Sequence, residues 1–117
     1  MSGITPKVIF QYWHTEDVPL QIKNLMATWI EHNPEYKYHL FNFNSASEFI
    51  YSEFGPEIGQ LFRSIKLPAM QSDFFRVAYC FAKGGIYSDA GTKAVNPISG
   101  LLENNARLIL MERRKKK

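Results

Sequence analysis

An α/β layered sheet is the fold class this sequence predicts, and three observations predict it. Short β-branched and aromatic runs alternate with segments of helical period along the chain. The elements are separated by Asn33-Pro34, Gly55-Pro56 and Gly84-Gly85, pairs that stop helices and start turns. The last pair leads into a strand that delivers one carboxylate, Asp89, to its exit, where open α/β sheets bind ligands.

Taken in order, Val8-Ile9-Phe10-Gln11-Tyr12-Trp13 follows Pro6 and reads as a first, buried strand. His14 to Pro19 is a polar connection. From Leu20, the residues Ile22, Leu25, Met26, Trp29 and Ile30 make one apolar stripe of a helix that Asn33-Pro34 ends. A second strand spans Tyr36 to Phe43. Ser45 and Glu48 form a capping-box pattern opening a helix with Phe49, Ile50 and Phe54. Gly55-Pro56 closes it and begins a short helix through Ile58, Leu61, Phe62 and Ile65. Pro68 suits the first turn of the next helix, which ends at Gly84 and whose core stripe is expected at Phe74, Val77, Ala78 and Phe81. Ile86 to Val95 reads as a third strand bent at Gly91, followed by a short helix over Ile98 to Leu102 and a last strand from Arg107 to Met111.

A chain of 117 residues accommodates one domain. Its composition, 45% hydrophobic and 21% charged, is that of a globular protein without internal repeats. The net charge of +3 is a property of the end: Arg113, Arg114, Lys115, Lys116 and Lys117 hold five of the 14 basic residues. Residues 1–112 carry nine basic against 11 acidic side chains, a net of −2, so the body is not built to bind polyanions. We therefore expect a domain over residues 1–112, a disordered basic tail over 113–117 and no nucleic-acid partner. Cys80, the single cysteine, sits between Tyr79 and Phe81 and reads as a small hydrophobe, not a nucleophile. No secretory signal and no transmembrane run is recognisable. The expected compartment is cytoplasmic, with a membrane-peripheral position as the alternative.

Asp89, after the glycine pair, has two readings. It is either a turn aspartate satisfying backbone N–H groups or an oxygen ligand for Mg²⁺ or Mn²⁺ bridging phosphates. Asp73 and Arg76 are three residues apart and share a helix face. They form either a helical ion pair or a pair in which the acid takes sugar hydroxyls and the guanidinium faces phosphate. Trp13 either stacks on a base or packs in the core. His14, His32 and His39 have no metal-ligand spacing, and no Ser-His-Asp order, zinc pattern or Walker loop is present.

Four blocks in order carry a resemblance: Pro6-Lys7-Val8-Ile9-Phe10-Gln11-Tyr12-Trp13; Trp29 with Asn33-Pro34-Glu35-Tyr36-Lys37-Tyr38; Ser72-Asp73-Phe74-Phe75-Arg76; and Gly84-Gly85-Ile86-Tyr87-Ser88-Asp89. The chain resembles the sugar-transferring domain of glycosyltransferase family 32, a group that includes α-mannosyltransferases and capsular polysaccharide enzymes. More distantly it is similar to the glucosylating domains of large clostridial toxins. The resemblance implies a GT-A fold, a Rossmann-like half-domain with helices packed on a central, mostly parallel sheet. It further implies transfer of a hexose from a UDP- or GDP-linked sugar to a glycan or lipid-linked acceptor, assisted by Mn²⁺ or Mg²⁺. By position, Trp13 would stack on the base, Asp73 and Arg76 would contact ribose, sugar and phosphates, and Tyr87 would flank the donor. Asp89 would be the metal-binding first acid of an Asp-x-Asp motif.

Two departures qualify these expectations. Gly91 stands where the family has the second acid of the motif, which weakens the metal expectation. Family members also run well beyond 117 residues, so the expected object is an N-terminal fragment or a short homologue. The alternative function is a non-catalytic module that binds a nucleotide sugar or a partner through a degenerate motif. Nothing in the sequence assigns a catalytic base.

Overall fold

The computed structural model describes residues 6–95 and 97–98. The expected strand over Arg107–Met111, the basic residues 113–117 and all but Ile98 of the expected helix at 98–102 lie outside the described residues.

Within them the order is β1 (Val8–Tyr12), α1 (Leu20–His32), β2 (Lys37–Phe41), α2 (Phe43–Phe54), α3 (Pro56–Arg63), α4 (Pro68–Ala82) and β3 (Ile86–Tyr87). The three strands form one sheet in the order β2-β1-β3, and both pairings are parallel. Parallel neighbours need a crossover, and here the crossovers are helical: α1 joins β1 to β2, and α2 to α4 join β2 to β3. The result is the α/β architecture of parallel strands under helices that the sequence predicts.

The pleat of β1 divides the core. Phe10 and Tyr12 face one side, with Ala46, Ile50, Phe62, Phe75, Ala78, Tyr79 and Tyr87. Ile9 faces the other, with Tyr36, Ile86, Ile98 and the partly buried Trp29. The first cluster is held by ring contacts, the tightest being Phe10–Tyr79 at 4.2 Å and Phe41–Phe75 at 4.7 Å between centroids. Pairs of this kind add about 0.5–1.5 kcal/mol beyond area burial. The high aromatic content thus serves the α2–α4 side of the sheet.

Three expectations are corrected. First, the buried face of α4 carries Gln71, Phe75, Ala78 and Tyr79, whereas Val77 is 62% and Phe81 83% exposed. The helix has two apolar stripes one residue apart, so its period alone fits either. The sheet takes the stripe whose Gln71 Oε1 accepts a 2.7 Å bond from the buried Tyr12 hydroxyl. The other stripe lines a groove of about 700 Å³ with Phe54, Ile58, Ile65 and Met70.

Second, the cap of α2 is Asn42, not Ser45. Asn42 Oδ1 accepts the Ser45 N–H and Ser45 Oγ accepts the Asn42 N–H, both at 2.9 Å. Ser45 is therefore the inner member of the box, and Glu48 sits exposed further along the helix. Third, β3 stops at Tyr87 instead of reaching Val95. Side chains take over the hydrogen bonding at Ser88 and Asp89, and Thr92 N–H turns back to the Asp89 carbonyl at 3.1 Å.

Gly84 and Gly85 do what a helix stop needs. Gly84 has φ 78° and donates to the carbonyls of Tyr79 and Cys80; Gly85 has φ 129°. A Cβ at Gly85 would also stand 3.2 Å from the Val8 carbonyl oxygen. Gly91 has no such constraint, since it lies outside the positive-φ set and a Cβ there meets nothing within 4 Å.

Burial also marks the tyrosines. The Tyr38 phenol is pushed from the ordinary 10.0 to about 12 by desolvation. Tyr12 is pushed higher still, by desolvation first and by neighbouring Tyr87 second. Among the described residues no helix is long and apolar enough to cross a membrane.

Two predictions follow from this packing. Gly85→Ala should destabilise by about 1–3 kcal/mol through backbone strain. Gly91→Ala should be neutral or stabilising by up to about 1 kcal/mol. Urea midpoints of the two variants measure the contrast. In alkali, the raised tyrosine values mean the folded state holds protons that the unfolded chain has released. Their contribution is complete below pH 10 and is lost as pH rises through about 12. Tyrosinate absorbance should show a late-titrating class, and Tyr38→Phe should flatten the fall in unfolding midpoint over that window.

Candidate functional site

β1 is the central strand. The chain leaves it for β2 on one side, while β3 adds to the other, so the strand order reverses between β1 and β3. In open parallel sheets the ligand crevice forms at such a point, outside the carboxyl ends. A cleft of about 450 Å³ opens there. The β1 exit supplies Tyr12, Trp13 and His14; the β3 exit supplies Tyr87 and the run Asp89 to Thr92; the first turns of α4 supply Pro68, Ala69 and Ser72.

Three of the expected residues meet in this cleft. Trp13 lies half-buried outside both core clusters, its ring 5.5 Å from that of His14. Its N–H donates to the Phe41 carbonyl at 2.9 Å, carrying the β1–β2 ladder one residue past the strand. Tyr87 is 1% exposed and packs its ring 5.2 Å from Phe10, so it contributes as a rigid part of the wall. Asp89 stands half-buried at the strand exit.

The Asp89 segment is fixed from two sides. Its carbonyl oxygen accepts from Gln11 Nε2 at 3.1 Å, from Thr92 N at 3.1 Å and from Thr92 Oγ1 at 2.6 Å. From α1, Trp29 Nε1 donates to the Thr92 carbonyl at 3.0 Å, and Thr28 Oγ1 accepts the Ala94 N–H at 2.8 Å. Asn33 Oδ1 accepts the Ile98 N–H at 2.7 Å, so the residue that ends α1 also holds the chain beyond the cleft. These bonds run through backbone and through side chains other than the Asp89 carboxylate.

Asp73 and Arg76 lie on a different wall. Both line the apolar groove of α4, while Ser72, next in sequence, faces the cleft. Arg76 Nη2 meets Asp73 Oδ1 at 3.3 Å, so the helical ion pair exists. The guanidinium has a further capacity. Arg76 Nε is buried and has no hydrogen-bond partner among the described residues, an arrangement that costs free energy unless something accepts from it. Cys80, one turn on, has its thiol pushed up by burial, with Arg76 partly opposing, which disfavours a thiolate nucleophile.

The oxygen donors available to a cation are few. Among the described residues Asp89 is the one carboxylate lining the cleft, and Gly91 offers only its carbonyl. Among the described residues no group of three or more His, Cys, Asp or Glu comes together. His32 Nδ1 pairs with the Thr28 carbonyl at 2.9 Å and His39 is exposed on β2, as their isolated positions suggested. His14, Ser72 and Thr92 are wall residues that no spacing rule singles out, because their proximity to Asp89 arises only when β1, α4 and β3 converge.

Comparison with known proteins agrees with this geometry. The family model described as a glycosyltransferase sugar-binding region containing a DXD motif matches residues 19–108. An initiation-specific alpha-1,6-mannosyltransferase of Candida albicans is 27% identical over 111 residues, covering 89% of this chain and 29% of that protein. Its counterpart in Schizosaccharomyces pombe is 30% identical, covering 90% and 28%. A mannosyl phosphorylinositol ceramide synthase of Saccharomyces cerevisiae is 34% identical, covering 74% and 22%. The chain thus spans less than a third of the length of these relatives. No solved structure matches significantly. With a cleft at the strand switch and a family match across most of its length, the chain belongs to the glycosyltransferase sugar-binding regions that contain a DXD motif.

Proposed function

We propose that this chain forms the donor-binding part of a GT-A glycosyltransferase that takes a hexose from a nucleotide-diphosphate sugar and passes it to a glycan or lipid-linked acceptor. The observation that carries the reading is the convergence of Trp13, Tyr87 and Asp89 on one cleft at the carboxyl ends of β1 and β3. The relatives' names, mannosyltransferases acting at α-1,6 linkages or on inositol phosphoceramide, favour a mannose donor and hence GDP over UDP.

Trp13 offers an aromatic face for the base, and Asp89 is placed to meet the diphosphate beyond the strand end. Arg76 and Asp73 line the α4 groove and not this cleft, so this reading assigns them no contact with the donor. In the transfer step the bond from the anomeric carbon to the diphosphate oxygen breaks, the acceptor hydroxyl oxygen forms the new one, and the hydroxyl's proton is released to the departing diphosphate or to water. Charge collects on the departing diphosphate, where a nearby positive charge stabilises it more than it stabilises the ground state.

The donor set fits a cation that arrives with the diphosphate, not a resident ion. Mg²⁺ keeps several waters and is commonly bound by one or two carboxylates plus substrate phosphates, and one carboxylate is what the described residues of the cleft supply. When bound, Mn²⁺ or Mg²⁺ would neutralise charge on the leaving group, with Asp89 as its protein ligand.

Gly91 favours a second reading, a module that binds a nucleotide sugar without turning it over. The two readings differ in metal dependence.

Titration calorimetry with UDP and GDP, with and without Mn²⁺, tests the reading. We expect GDP to bind more tightly than UDP, and Mn²⁺ to strengthen binding. Asp89→Ala, with folding checked by circular dichroism, should remove the Mn²⁺-linked gain. Nucleotide affinity indifferent to Mn²⁺ and to Asp89→Ala would support the non-catalytic module, and no nucleotide binding by folded protein would overturn both. Gly91→Asp should raise the Mn²⁺-linked affinity, because the position is open and a second carboxylate adds ligand charge.

A further inference from the structure

We propose that Gln11 is a positioning residue for Asp89: its carboxamide, supported by the Tyr38 hydroxyl, fixes the strand exit on which that acid stands. The inference deepens the donor-site reading above and rests on it.

Gln11 is fully buried, on the sheet face otherwise made by Ile9, Tyr38 and Ile86. A carboxamide in such surroundings is costly unless bonded, and an apolar side chain would pack there without that cost. Its bonds account for its presence. Nε2 donates to Ser88 Oγ at 2.8 Å and to the Asp89 carbonyl at 3.1 Å, and Oε1 accepts from the Tyr38 hydroxyl.

The location of these bonds is informative. β1 and β3 pair at Ile9 with Ile86 and at Phe10 with Tyr87. The last backbone rung is Ser88 N–H to the Phe10 carbonyl, at 3.2 Å. Gln11 is the next residue along β1, and its side chain continues the ladder after the backbone leaves it. The strand exit is therefore held to the central strand by one amide.

The Asp89 carbonyl, which can only accept, sets which way that amide points, and the Tyr38 hydroxyl supports that orientation by donating to Oε1. A primary amide can rotate by half a turn and exchange its oxygen for its nitrogen at little steric cost. Rotated, Oε1 would face the Asp89 carbonyl, oxygen against oxygen. The phenol, as a donor on the opposite side, favours the orientation with both amide hydrogens turned toward Ser88 and Asp89. The chain is Tyr38 on β2, Gln11 on β1, Asp89 after β3, a connection across the whole sheet.

Gln11→Met keeps the volume and removes the amide; Tyr38→Phe removes only the hydroxyl that supports its orientation. Two readouts apply to both: Mn²⁺-linked GDP affinity by calorimetry, and amide hydrogen exchange resolved along the chain. We expect Gln11→Met, folded by circular dichroism, to lose roughly ten- to hundred-fold in Mn²⁺-linked affinity, as substitutions behind metal ligands do, with nucleoside affinity unchanged. Exchange should quicken over Ser88–Thr92 and not in α1 or α4. Tyr38→Phe should shift both readouts in the same direction by a smaller factor, and it decides the matter if Gln11→Met does not fold. Wild-type affinity and exchange in a folded variant would overturn the proposal, as would exchange that quickens uniformly over all elements. If the unmodified chain shows no Mn²⁺-linked nucleotide binding, the donor-site reading falls. Exchange over 88–92 then still decides whether Gln11 holds the strand exit.

Discussion

Parallel pairing on both edges of β1 is the constraint on which the rest of this structure depends. A parallel neighbour cannot be reached by a hairpin, so the chain must cross back over the sheet each time. With β2 on one edge and β3 on the other, the carboxyl ends of β1 and β3 are left side by side with nothing between them. Trp13 and Asp89 are 76 positions apart in sequence and share a cleft for that reason. The two faces of β1 then divide the labour. Phe10 and Tyr12 bury against α2 to α4 and supply most of the aromatic packing, while Gln11 on the opposite face ties down the exit of β3.

Much of the fold was legible because local chemistry and global need coincide. Asn33-Pro34 ends α1 both because the residue before proline leaves the helical region and because Asn33 is wanted by Ile98. Gly84-Gly85 stops α4 and requires positive φ at both positions. The misses have physical causes too. Val77 and Phe81 look like part of a core stripe with Phe74 and Ala78 because α4 is apolar on two adjacent faces, and periodicity has no information about which one a sheet will cover. Ser45 and Glu48 match a capping box by spacing, yet Asn42 three residues earlier makes the reciprocal pair. The third strand looked longer than it is because Ile86 to Val95 is free of strand breakers until Gly91; a long-range bond from Gln11 and a local turn bond from Thr92, both to the Asp89 carbonyl, end it.

The candidate site divides along the same line. Trp13, Tyr87 and Asp89 sit at strand exits, where a sequence reading can place them from the sheet topology alone, and they do converge. Asp73 and Arg76 depend on the rotation of α4 about its axis, the quantity that the stripe reading mistook. With Gln71, Phe75, Ala78 and Tyr79 turned inward, both charges fall on the groove that Met70 and Phe81 also line. The groove is apolar and large, and exposed patches of this character are contact surfaces more often than solvent faces. A single rotation of one helix thus determines both which apolar residues are exposed and which wall the ion pair occupies.

Gly91 bears most directly on chemistry, and its geometry separates two causes that the sequence alone confounds. A glycine in a motif that calls for an acid can be there because the backbone demands it or because the acid is not used. Gly84 and Gly85, a few residues earlier, show the first case, with positive φ and, at Gly85, a carbonyl oxygen in the space a Cβ would take. Gly91 shows neither, and its Cβ direction is open. The fold therefore accepts an aspartate at 91 without strain, so the missing carboxylate is not a concession to folding. Its absence leaves Asp89 as the cleft's one acid among the described residues, and makes the precision with which Gln11 and Thr92 hold that residue matter more than it would in a site with two. A cation shared with a diphosphate can be held by one well-placed carboxylate; it cannot be held by one that wanders.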